Sequence, residues 1–163
     1  MRIKLLSSLL AAAVLWCFAS AAQAQVPQYG ANVSHEQARK AIAGAVANSK
    51  AQNLPMAISV VDTAGQMVAF ERMDNTQFGS IAVAQDKAAS AALFRRPTKV
   101  FQDALAAGGA GLRILTLRGA NAVEGGIPLV IDGKIIGAIG VSGGSAEQDG
   151  VVAKAGLDAM LAK

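Results

Sequence analysis

Cysteine, histidine and aromatic side chains are nearly missing from this chain, and each shortage removes a class of chemistry. Among 163 residues there is one Cys, one His, one Trp and one Tyr, and aromatics make up 4%. Cys17 and Trp16 both fall within the first 24 residues, so a chain cleaved after Ala24 carries no thiol. Such a chain has no disulfide framework, no thiol nucleophile and no Cys-x-x-Cys-His haem attachment. His35 is the lone imidazole, so any Ser-His-Asp arrangement must use it. One helical turn further on it meets Ala38 and Arg39 rather than metal ligands, so only a partner from another segment or subunit completes a metal site. Long runs of one charge are also missing. The 15 basic and 11 acidic residues are interspersed, which leaves no basic stripe to neutralise phosphates and gives no support for a nucleic-acid partner.

What is present begins with an export signal. Arg2 and Lys4 precede an apolar run from Leu5 to Ala22, and Ala22-Gln23-Ala24 is a small-residue cleavage motif. Residues 1–24 are therefore expected to be a signal peptide, 25–33 a leader and 34–163 one domain. A spanning helix wants about 20 apolar residues, and here Ala, Ser and the cleavage motif fill the second half. Bulky Trp16 disfavours lipidation at Cys17. The expectation is a periplasmic or secreted protein with no stable membrane anchor after cleavage. Loss of Arg2 and Lys4 takes the net charge from +4 to +2, so the basic balance is partly a targeting feature.

Periodicity organises the rest. Ser34 with Gln37 forms a capping box ahead of a helix to about Gln52, with Ala38, Ala41, Ile42, Ala45 and Val46 on its apolar face. β-Branched runs at 56–61 and 66–72 flank Asp62-Thr63-Ala64-Gly65 and predict a hairpin. Ser80 is placed to cap a helix over 81–94, and Thr98 to open another over 99–106, closed by Gly108 to Gly111. Residues 112–124 fit either a strand or a wrapped loop. Asp132-Gly133 between 129–131 and 134–142 is a strong hairpin signal, because a type I′ turn needs positive φ at both central residues. Ser145 with Gln148 then caps a last helix. The order helix, hairpin, two helices, hairpin, helix gives an α+β class with an antiparallel sheet covered by helices.

Several residues carry chemistry on one reading and plain structure on another. His35 sits beside Glu36 in a first helical turn, as a ligand or as a solvated side chain. Lys87, on a helical stripe of small residues, is either a base of shifted pKa or the partner of a structural ion pair. Arg95-Arg96 presents planar forks for an acidic ligand or neutralises a helix C-terminus. Asp62 most simply organises its own turn. Glu147 and Asp149, two apart, face different ways and are explained as charges favoured at a helix N-terminus. Three glycine clusters, 108–111, Gly125-Gly126 and Gly143-Gly144, match neither a P-loop nor a dinucleotide fingerprint. They serve turns, while Ser142-Gly143-Gly144-Ser145 also offers free N–H groups to an anion.

The ordered set Ile58 to Gly65, Val68 to Asp74, Lys87-Ala88, Phe94 to Thr98, Gly125 to Lys134, Gly137 to Gly144 and Glu147-Gln148-Asp149 resembles the GlcG/HbpS-like haem-binding family over about residues 33–162. The resemblance implies a profilin-like sheet, homo-oligomers, and binding of haem or, second, a corrinoid. The resemblance places no axial ligand on this chain; His35 is offered to the metal on the chemistry of imidazole, with Tyr29 and the methionines behind it. Arg95 and Arg96 meet propionates, and Lys87, Gly125, Gly126, Ser142, Gly143 and Gly144 line the pocket. No residue is assigned a catalytic role: the expected function is storage, protection or delivery of haem. Two rivals stay open, a lyase, isomerase or redox enzyme acting on an organic acid through Lys87 or Asp62, and an extracytoplasmic sensor accessory.

Overall fold

The computed structural model describes residues 26–162. The signal-peptide reading of residues 1–24 lies outside them. The chain forms β1 (Gln28–Tyr29), α1 (His35–Ala51), β2 (Ala57–Val61), β3 (Met67–Arg72), α2 (Gly79–Phe94), α3 (Lys99–Ala106), a 3-10 helix (Gly109–Thr116), β4 (Gly126–Ile131), β5 (Lys134–Ser142) and α4 (Ala146–Leu161). The α+β class and the two antiparallel hairpins therefore stand.

Local chemistry sets the element ends. Ser34 and Ser145 each complete a capping box, their hydroxyls accepting from the N–H of Gln37 and Gln148. Asp132 and Gly133 take φ of 50° and 72° at the β4–β5 turn, as a type I′ hairpin requires. Two caps depart from expectation. The hydroxyl of Ser80 meets Gln77 and Ser142 instead of capping α2, which starts at Gly79 without a side-chain cap. Thr98 likewise makes no cap; its Oγ1 accepts from Gly126 N–H at 2.9 Å. In both cases a partner distant in sequence outcompetes the local one.

β5 is the hub of the sheet. It pairs antiparallel with β4 on one edge and with β2 on the other, and β3 extends the sheet beyond β2. The leader contributes more than a surface path: β1 pairs parallel with the start of β5 through Gln28 and Tyr29, because β2 ends opposite Ala138 and leaves that edge open. The ambiguous residues 112–124 are neither a strand nor loop throughout: they begin within a 3-10 helix, Gly109–Thr116, and continue as loop.

The two sheet faces differ in kind. On one, α1 and α4 pack over Ile58, Val60, Ile139 and Val141 to form the main core. On the other, α2 lies over β5, β2 and β4 against small residues, with Ala88, Ala91 and Ala92 meeting Val61 and Ala138. Gly140 and Gly126 make this approach close. A Cβ at Gly140 would overlap the Ala84 carbonyl oxygen, and one at Gly126 the Lys87 carbonyl oxygen. Helix α2 thus sits with its backbone almost on the sheet.

Candidate functional site

The residues singled out in the sequence separate into three places. The first surrounds Lys87. This side chain is fully buried on α2, and its Nζ donates to Asp149 Oδ2 at 2.7 Å and to the Val141 carbonyl at 3.1 Å. Asp149 is itself buried, and its Oδ1 accepts from Gly144 N–H at 2.9 Å. Burial pushes the Asp149 carboxyl above the ordinary carboxylate value, opposed by Lys87 and by the N–H groups of Gly144 and Gly143. Glu147 behaves in the opposite way. It is exposed, and its own backbone N–H and the Ser145 hydroxyl hold it below its usual value.

The glycine turns exist to let this ion pair in. A Cβ on Gly125, at φ 126°, would lie 2.9 Å from Lys87 Nζ and 2.8 Å from Asp149 Cβ. The structure therefore gathers Lys87, Gly125, Gly126, Ser142, Gly143 and Gly144, but around an internal ion pair that ties α2 to the start of α4. Lys87, Gly125 and Gly126 are packed inside this chain rather than presented at a cleft. Asp149 is the member that sequence reasoning misses. Its signal was the lysine on a stripe of small residues, since a lysine buried there needs an acid beside it.

The second place is the C-terminal end of α2. Arg95 closes the helix in the left-handed conformation, φ 53°, with its guanidinium 5.5 Å from the Tyr29 ring centroid. The Tyr29 hydroxyl donates to the Ala92 and Leu93 carbonyls at 3.0 and 3.2 Å. Arg96 lies 5.7 Å from the Phe101 ring and donates to the Phe94 carbonyl. The last carbonyls of the helix thus find donors, and both arginines lie over aromatic faces. Asp62, the other acid considered, accepts from the N–H groups of Ala64 and Gln66, each at 2.9 Å, and organises its turn.

The third place is His35. It is exposed at the start of α1, on the sheet face opposite α2, and lines a cleft of about 190 Å³ with Arg39, Ile42, Ala43, Ala69, Phe70 and Glu71. An imidazole, a guanidinium and an apolar floor meet there. The structure does not bring Arg95, Arg96 or Lys87 to this cleft. Among the described residues no group of three or more His, Cys, Asp or Glu is placed to hold a bare metal ion.

The family model described as haem degrading protein HbpS-like matches residues 33–158. The chain belongs to this family. It is 38% identical over 110 residues to protein GlcG of Escherichia coli, covering 68% of this chain and 81% of that one. Among solved structures, the PduOC:heme complex superposes with a TM-score of 0.71 at 28% identity, covering 78% of this chain and 94% of that one. A double mutant of HbpS from Streptomyces reticuli gives a TM-score of 0.74 at 26% identity, covering 88% and 96%. The HbpS-like chain described here shares their mixed sheet flanked by helices.

Proposed function

We propose that this protein is an exported haem-binding protein that carries or protects haem without transforming it. The observation that supports it is the His35 cleft in a chain whose relative PduOC was solved with haem. The donor set fits the group. Haem supplies an iron that accepts an axial imidazole, and His35 is the only imidazole in the chain. Arg39 stands in the same cleft for a propionate, and Ile42, Ala43 and Ala69 offer apolar surface to the macrocycle. Because Arg95 and Arg96 lie over aromatic rings on the opposite sheet face, the propionate role passes from them to Arg39.

The cleft is smaller than the roughly 300 Å³ at which small-molecule sites begin. One copy therefore offers a platform, and a second copy of the chain covers it. Exposed Val100, Leu112, Leu115 and Leu117 on α3 and the segment after it supply apolar surface for a homo-oligomer. The Lys87–Asp149 pair has a structural part in this reading, which weighs against a lyase acting through Lys87.

Titrating hemin into residues 25–163 tests the reading. The expected result is a saturable shift of the Soret band that His35→Ala abolishes or weakens at least tenfold. A spectrum of free hemin alone would defeat it. Export is tested separately by N-terminal sequencing of the periplasmic or secreted protein. Gln25 is expected as the first residue, and an intact Met1 confined to the cytosol would refute the signal-peptide reading.

A further inference from the structure

The haem reading leaves a groove on the α2 side of the sheet unused. Helix α2 is drawn down onto β5 at Gly140, and beyond it the β2–β3 hairpin stands clear, with Met67 half exposed. The space between is a groove of about 320 Å³. Ser59 and Val61 of β2 form its floor, Gly65, Gln66 and Met67 one wall, and Gln85, Asp86 and Ala89 of α2 the other. The Leu93 side chain closes in on Gly65 at one end.

Two features of this groove call for a guest. Ser59 is fully buried, and its hydroxyl has no hydrogen-bond partner among the described residues. Buried polar groups in folded proteins are overwhelmingly paired, so a lone hydroxyl on a groove floor points to a partner that enters from outside. Asp86 is the second feature. It is exposed, and among the described residues no cation comes within salt-bridge range of it. It also lines a neighbouring cleft with Leu93 and Asn121. The groove walls carry one carboxylate, two amides and one hydroxyl, with no lysine, arginine or histidine. That composition repels carboxylates and phosphates and attracts a cation.

We propose that the groove between α2 and the β2–β3 hairpin binds a small organic cation, an amine or guanidine. Its charged group pairs with Asp86, and a second polar group reaches the Ser59 hydroxyl, which has no open surface of its own, by displacing the side chains that cover it. The volume, near the lower end of small-molecule sites, sets the ligand at metabolite size. This site is independent of His35, which lies on the other face of the sheet.

The test is a titration of residues 25–163 with agmatine, followed by amide chemical shifts, with 1,4-butanediol as the uncharged counterpart. Agmatine is expected to shift the Gly65, Gln85 and Ala89 amides saturably, and butanediol is not. Asp86→Asn should weaken agmatine binding at least tenfold, the scale of a lost charge-assisted hydrogen bond. Ser59→Ala should weaken it severalfold while its denaturation midpoint stays equal to the parent's or rises, because an orphaned hydroxyl has been removed. His35→Ala should bind agmatine as the parent does. The proposal is overturned by an absence of saturable shifts to about 20 mM, by equal response to butanediol, or by unchanged affinity in either groove variant.

Discussion

Replacing Lys87 by Met tests the internal ion pair most directly. The aliphatic length is kept, so no large cavity opens, but Asp149 loses the ammonium 2.7 Å from its Oδ2 and the Val141 carbonyl loses a donor. The two side chains are 1% and 3% exposed, so water cannot replace the lost partner. Removing one member of such a buried pair costs about 3–5 kcal/mol, a large share of the roughly 5–15 kcal/mol that holds a domain folded. Urea unfolding at pH 7, read by circular dichroism, should show this loss, and the melting temperature should fall by about 10–20 °C. Asp149→Asn in the Lys87→Met background should restore part of it, about 1–3 kcal/mol, since a neutral amide oxygen still accepts from Gly144. The Lys87→Met penalty should also shrink in acid, where the stranded carboxyl takes up a proton. A loss under about 1 kcal/mol, or a double variant no more stable than Lys87→Met, would refute the reasoning.

Other outcomes follow from the same geometry. The Asp149 carboxyl is raised in the folded state, so the native protein holds that proton longer than the unfolded chain. Its contribution to stability should therefore fall as pH climbs from the ordinary aspartate value to the raised one; Asp149→Asn should remove that slope from a series of urea midpoints, and a pH-independent difference between the two proteins would contradict it. Gly126→Ala forces a Cβ onto the Lys87 carbonyl and within 2.6 Å of Thr98 Cγ2, and should cost about 1–3 kcal/mol by thermal unfolding. Gly79→Ala, with nothing within 4 Å, should stay within about 0.5 kcal/mol. Ser145→Ala removes the α4 cap and should cost about 1 kcal/mol in the same assay. Tyr29→Phe keeps the ring beneath Arg95 but loses the bonds to Ala92 and Leu93, and should cost about 0.5–1.5 kcal/mol by denaturant titration.

The legible parts of the sequence were those governed by neighbours along the chain. Ser34 with Gln37 and Ser145 with Gln148 close their boxes within one helical turn, and Asp132-Gly133 turns on its own dihedral preferences. Ser80 and Thr98 carry the same kind of signal and do not cap, because Ser142 and Gly126 reach them across the fold. The start of the 112–124 stretch, inside the 3-10 helix Gly109–Thr116, resisted reading for a similar reason. Its 3-10 turns follow from close packing on α3, where Gly111 leaves no room for a Cβ beside the Ala104 carbonyl.

By itself the sequence determined the α+β class, the two hairpins and both capping boxes, since these rest on residues a few positions apart. The tertiary structure alone decided which special residues meet. Lys87 and Asp149 stand 62 positions apart and share one buried bond. His35 and Ala69 line one cleft, and Ser59 is left without a partner where α2 and the hairpin diverge. Charge, burial and reach between distant segments are set by packing, and packing is not written in any local pattern.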